Sequence, residues 1–63
     1  MTQLSRITVD PKVMGGKPCI RGKRVTAGTV VGLVAAGHST AEILKLYLYL
    51  EEEDIHEALV YAA

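Results

Sequence analysis

Apolar and polar residues alternate along one short stretch only. In RITVD, Ile7 and Val9 fall on one side and Arg6, Thr8 and Asp10 on the other. That is the period of a half-buried strand, and Pro11 stops it. Met14-Gly15-Gly16 reads as a turn, and Pro18 biases Lys17 towards an extended conformation. CIRGKRVT then reads as a tight hairpin. Gly22-Lys23 fits a two-residue loop with glycine at its first central position, as a type II′ turn requires. This register places Arg21 opposite Arg24 and Ile20 opposite Val25, with the arginines on one face of the ribbon and the β-branched pair on the other. Like charges directly opposite repel. An anionic group is therefore expected beside them, from this chain or from a partner.

From Thr26 the period becomes helical. Thr26 caps a helix running to about Ala36, and Gly37 supplies its left-handed stop. Val30, Val31, Leu33 and Val34 make this helix apolar over much of its circumference, which predicts a central position. Gly28, Gly32 and Ala36 recur every fourth residue as a smooth stripe, read as close packing inside the monomer with a dimer seam as the alternative. Ser39 and Glu42 form a capping box that opens a second helix, whose buried face is Ile43, Leu46, Tyr47 and Leu50. A break around Leu48 to Glu51 precedes a third helix with the apolar stripe Ile55, Ala58, Leu59 and Ala62. The predicted fold class is mainly α: a three-helix, helix-turn-helix-like bundle with an N-terminal β-strand and β-hairpin. One domain covers residues 1–63, with the β-ribbon at 7–26 and the helices at 26–63.

Composition adds a constraint. With 63 residues, 49% of them apolar and neither phenylalanine nor tryptophan, the core is aliphatic and small. A domain of this size buries only about 60% of its unfolded surface. One cysteine cannot form an internal disulfide, and there is no cysteine/histidine cluster, so neither a metal nor a cofactor is expected. Support is expected instead from a homodimer or another partner. The start of the chain lacks the charged-then-apolar pattern of a secretory signal, and Val25 to Gly37 is too short and glycine-rich to span a bilayer. The expectation is a cytoplasmic protein without a membrane segment.

Net charge is zero, but its distribution is uneven. Lys12, Lys17, Arg21, Lys23 and Arg24 crowd the first half, while Glu51, Glu52, Glu53, Asp54 and Glu57 crowd the end. The basic stretch is not a Walker phosphate loop, because Gly16-Lys17 is followed by Pro18 and the hydroxyl residue is missing. Cys19 has no evident base, and His38 and His56 begin helices without a carboxylate partner, so no enzyme is expected. Cys19 reads as a small core residue. EEED at consecutive positions points around a helix, which reads as a solvated, dipole-favoured first turn and not as a metal site. As a recognition helix, EEEDIHE would set carboxylates against phosphates and offers no arginine to guanine. The basic ribbon is the better reader of DNA or of a partner. Its binding candidates are Lys17, Arg21, Lys23 and Arg24, held by turns at Gly15, Gly16, Pro18 and Gly22.

These segments, in the order ITVDP…MGGKPCIRGKRV…LVAAGHSTAEIL…YLEEEDIHEALVYAA, resemble the family called domain of unknown function 433, from Ile7 to Ala63. The most specific part is G-G-K-P-x-I-R-G-x-R, matched by Gly15, Gly16, Lys17, Pro18, Ile20, Arg21, Gly22 and Arg24. The A-A-G before helix two and the ending E-D-I-x-x-A-L-x-Y-A, Glu53 to Ala62, also match. The resemblance implies a compact helix-turn-helix-like bacterial domain. It further implies an antitoxin of VapB type, because members frequently stand beside a PIN-like nuclease. No catalytic residues carry over. The family commonly has Y-P-H-L where this chain has Tyr47-Leu48-Tyr49-Leu50, so helix two is expected to run further. Glu51 replaces the usual threonine cap, so helix three is expected to start less crisply. The leading expectation is an antitoxin that neutralises a PIN-like nuclease with Arg21 and Arg24 and autoregulates through DNA. The alternatives are a stand-alone DNA-binding regulator using the ribbon, and a homodimeric module whose arginines pair with its partner subunit's acidic helix.

Overall fold

The alternating stretch becomes a strand only where it has a neighbour. In the computed structural model, which describes residues 5–63, β1 is Ile7–Thr8 and β2 is Cys19–Ile20. They pair antiparallel, with Ile7 opposite Ile20 and Thr8 opposite Cys19. Three helices follow: α1 (Ala27–Ala35), α2 (Thr40–Leu46) and α3 (Glu52–Ala62). The mainly helical class with an N-terminal antiparallel pair is thus as the sequence predicts. Val9, expected to be buried with Ile7, lies beyond β1 and is 63% exposed.

The hairpin differs from expectation at its tip. Lys23 N–H donates to the Ile20 carbonyl at 2.7 Å, so the central turn residues are Arg21 and Gly22, not Gly22 and Lys23. Their φ angles are 46° and 70°. Two left-handed residues in succession are the mark of a type I′ turn. The predicted pairing survives below the tip: Ile20 N–H donates to the Val25 carbonyl at 2.9 Å, and Cys19 bridges Thr26.

The helix boundaries follow their caps. Thr26 Oγ1 accepts from Thr29 N–H at 3.0 Å. At the far end of α1, Gly37 takes φ 95°. His38 N–H then reaches the Leu33 carbonyl at 3.1 Å and Gly37 N–H the Val34 carbonyl at 3.0 Å, closing a Schellman motif. Ser39 and Glu42 form both halves of their capping box, at 3.2 and 2.8 Å. Backbone and side-chain bonds from Ser39 hold the Glu42 carboxyl below its ordinary range. Even without the proline, α2 stops at Leu46. A turn with Leu50 N–H on the Tyr47 carbonyl at 3.0 Å then redirects the chain.

The core joins all these elements: Ile20 and Val25 of the ribbon, Ala27 and Val30 of α1, Ile43, Leu50, and Ile55 and Ala58 of α3. Cys19 is buried beside them, as the core reading expects. The inward line of Ala27, Val30 and Val34 turns positions 28, 32 and 36 to the opposite side. Gly28, Gly32 and Ala36 are accordingly exposed, and a methyl group at Gly32 would meet nothing within 4 Å. The glycine stripe does not pack inside the monomer. Leu46 and Leu59, expected on buried faces, are 60% and 38% exposed, and Ala62 is exposed as well. No helix among the described residues is long and apolar enough to cross a membrane.

Candidate partner-binding site

The four candidate cations do not act as one patch, because Arg21 turns inward. Its left-handed backbone aims the guanidinium at Asp54 of α3. Arg21 Nε lies 3.1 and 3.2 Å from the two carboxylate oxygens, and Nη2 lies 2.9 Å from Oδ2. Nη2 also donates to the Tyr49 carbonyl at 2.6 Å. The neighbouring Gly22 N–H donates to Thr8 Oγ1 at 2.8 Å, fixing the turn against β1. The expected anionic neighbour is therefore this chain's own third helix. Arg21 is not a free binding residue: it makes within one chain the contact with α3 that the dimeric alternative places between subunits.

A second arginine completes the cluster. Arg6, immediately before β1, places Nη1 2.6 Å from Glu51 Oε1 and 3.0 Å from Asp54 Oδ1, and Nε 3.1 Å from Glu57 Oε2. Asp54 is fully buried and also accepts the Glu51 N–H at 2.8 Å, which caps α3 despite the missing threonine. Burial pushes the Asp54 carboxyl up. The bonds from Arg21, Glu51 N–H and Arg6 outweigh it and hold the group below the ordinary carboxylate range. The Arg6 hydrogen bonds to Glu51 and Asp54 likewise raise its guanidinium above its already high ordinary value.

The expectation of a solvated acidic turn is thus overturned for Asp54, which is buried, and holds for Glu52 and Glu53, both exposed; Glu57, one turn further on, is buried too. Sequence reading missed Arg6, Asp54, Glu57 and the Tyr49 carbonyl as parts of one cluster. The available signal was Asp54 at the third position of a helix whose cap is Glu51, where a carboxylate can reach back to the cap's N–H.

The other candidates face water. Lys17, Lys23 and Arg24 are exposed, and Arg24 has no ion-pair partner among the described residues. Lys23 Nζ stands 5.8 Å from the centroid of the Tyr49 ring, within cation–π range. Before Lys17, Met14, Gly15 and Gly16 all adopt positive φ, at 50°, 66° and 84°, and Pro18 then delivers the chain to β2.

The family model described as "Protein of unknown function (DUF433)" matches residues 7–62. The chain belongs to DUF433. It is similar to the uncharacterised protein y4eO of Sinorhizobium fredii (strain NBRC 101917 / NGR234), with 41% identity over 56 residues. That alignment covers 89% of this chain and 25% of y4eO. It is also similar to the crystal structure of a DUF433 member protein from Anabaena variabilis ATCC 29413, with 34% identity and a TM-score of 0.83. There the match covers 89% of this chain and 55% of the other. The chain thus spans a quarter of one relative and just over half of the other. The DUF433 match takes in both sides of the Arg21–Asp54 contact, while Arg6 lies one residue outside it.

Proposed function

We propose that this chain is a non-enzymatic, cytoplasmic antitoxin that binds and neutralises a PIN-like nuclease, with autoregulation through DNA as a second use of its basic ribbon. One observation carries the reading. The Arg21–Asp54 pair spends one arginine of the family motif on fixing the loop, and the other, Arg24, stays exposed on it. A nuclease of that kind gathers carboxylates around a divalent metal. A guanidinium inserted among them supplies fixed positive charge and two parallel hydrogen bonds in the metal's place. Holding the loop in advance lowers the ordering cost of binding. Lys17 and Lys23 add positive field at the rim. Arg21 serves by positioning the loop, without touching the nuclease.

The test is to purify this chain with the product of the adjacent gene and to measure RNA cleavage by that product with and without the chain. Wild-type chain suppresses cleavage, and Arg24→Ala weakens the complex by about tenfold or more, corresponding to roughly 1.4 kcal/mol. Full inhibition by Arg24→Ala, or none by wild type, rejects the reading. For DNA, three exposed cations per ribbon give a salt slope near −3 per subunit, at roughly 0.9 per phosphate contact. The exposed Glu52 and Glu53 on α3 oppose any deeper role for that helix in the groove.

A further inference from the structure

The turn joining α2 to α3 carries apolar side chains that the fold leaves in water. Leu48 is 85% exposed, Leu46 60% and Tyr49 46%. Leucine on a loose loop would be unremarkable, but this turn is held. Leu50 N–H closes it onto the Tyr47 carbonyl, and Arg21 Nη2 grips the Tyr49 carbonyl at 2.6 Å. Side chains presented on a fixed backbone lose little freedom when they are covered.

Charges of both signs adjoin these residues. Lys23 leans over the Tyr49 ring. The chain also runs directly from these residues into the first turn of α3, where Glu52 and Glu53 are exposed. We infer that Leu46, Leu48 and Tyr49 form the centre of an isologous interface with a second copy of this chain, in which Lys23 of each copy meets Glu52 and Glu53 of the other.

The occupant follows from the charge pattern. A two-fold interface puts the same patch on both sides, so the patch must be complementary to itself. An apolar centre with one basic and one acidic flank meets that condition. An acidic partner would be repelled by Glu52 and Glu53 and a basic one by Lys23, whereas a second copy satisfies both flanks. The chain's zero net charge leaves no overall repulsion between copies. The interface also supplies the apolar burial that so small a core lacks. Arg24 and Lys17 lie outside these pairings, and Lys23 alone is shared with the nuclease reading, which rests on Arg24.

Sedimentation equilibrium of the full chain at micromolar concentration tests this. Wild type is a dimer, and Leu48→Asp is a folded monomer, with its far-ultraviolet dichroism unchanged because Leu48 contributes so little to the monomer's core. Lys23→Glu alone and Glu52→Lys/Glu53→Lys alone each raise the dissociation constant by about tenfold. An equimolar mixture of the two charge variants recovers dimer, because both flanks are again paired in the heterodimer. A monomeric wild type overturns the inference. So does a dimer that survives Leu48→Asp and is broken by Tyr61→Glu, which would move the contact to the apolar cavity that Tyr61 and Ala62 line with Pro18, Ala27, Gly28 and Val31. Failure of the mixture to associate better than either variant alone also overturns it.

Discussion

Arg21 is a non-glycine residue held at φ 46°, a conformation costing roughly 1–2 kcal/mol. It persists because the bent backbone sends its guanidinium to a carboxylate that has no access to water. Asp54 is the group on which the cluster depends, since it receives Arg21, Arg6 and the Glu51 N–H together. Asp54→Ala should lower the unfolding free energy by about 3 kcal/mol, the usual cost of removing one member of a buried pair. Arg21→Ala should cost less. A third of its side chain already meets solvent, and Asp54 keeps its other donors. Urea denaturation of the two variants measures the order, and a larger loss for Arg21→Ala would contradict this account. Only part of this was legible in the residues: the facing arginines called for an anion, and Asp54 stood where it could cap α3, but nothing joined the two. A pattern of charges shows that arginines and carboxylates exist at opposite ends of a chain, whereas their meeting depends on how β1 and α3 are brought side by side.

Helices were legible where side chains speak to their own backbone. Thr26, Gly37 and the Ser39–Glu42 pair mark boundaries by bonds closed within a few residues, and the structure places all of them as read. Faces were less legible, because an apolar stripe does not say how much of itself a small domain can cover. Leu46 and Leu59 continue the buried lines of α2 and α3 and still emerge into solvent. Local caps also give local predictions. Ser39→Ala should cost about 1 kcal/mol by freeing the Glu42 N–H. Gly32→Ala should raise stability by up to about 1 kcal/mol, because the added methyl meets open space and helix propensity improves. Thermal melting of the two variants reads both signs, and a destabilised Gly32→Ala would mean that another surface packs there.

At the scale of α3 the same cluster sets a response to acid. The folded-state Asp54 carboxyl sits below its unfolded value, so the native state binds fewer protons than the unfolded chain. Its contribution is therefore complete above the ordinary carboxylate pKa of about 4, and it is lost as pH falls through the folded value. As pH falls below about 4, wild type should lose melting temperature more steeply than Asp54→Asn, which has no such proton to gain. Parallel curves for the two proteins would place the acid response elsewhere.

Across the whole molecule, the ribbon and the helices stand or fall together. Arg21 N–H donates to the Arg6 carbonyl at 2.7 Å, while Arg6 itself is held by Glu51, Asp54 and Glu57. Amide exchange at Arg21 and Ile20 should therefore require the same opening free energy as the central amides of α1 and α3. Faster exchange in the ribbon with the helices still protected would show it to be a separate unit. The cationic candidates illustrate the same dependence. Lys17, Lys23 and Arg24 are where the sequence reading put them, on an exposed basic loop, but the loop's shape is dictated from a helix about thirty residues further on.

The pairing of Arg6 with Glu57, across 51 positions, also bears on the order in which the chain is made. During synthesis the ribbon leaves the ribosome early, with its arginines facing only solvent and whatever polyanions lie near. Until α3 emerges, the left-handed turn at Arg21 has only the ribbon's own bonds to hold it, and translation must pass Glu57 before the guanidinium cluster can close. The basic loop therefore takes its final shape late, after its own acidic counterpart has arrived to claim Arg21 and Arg6.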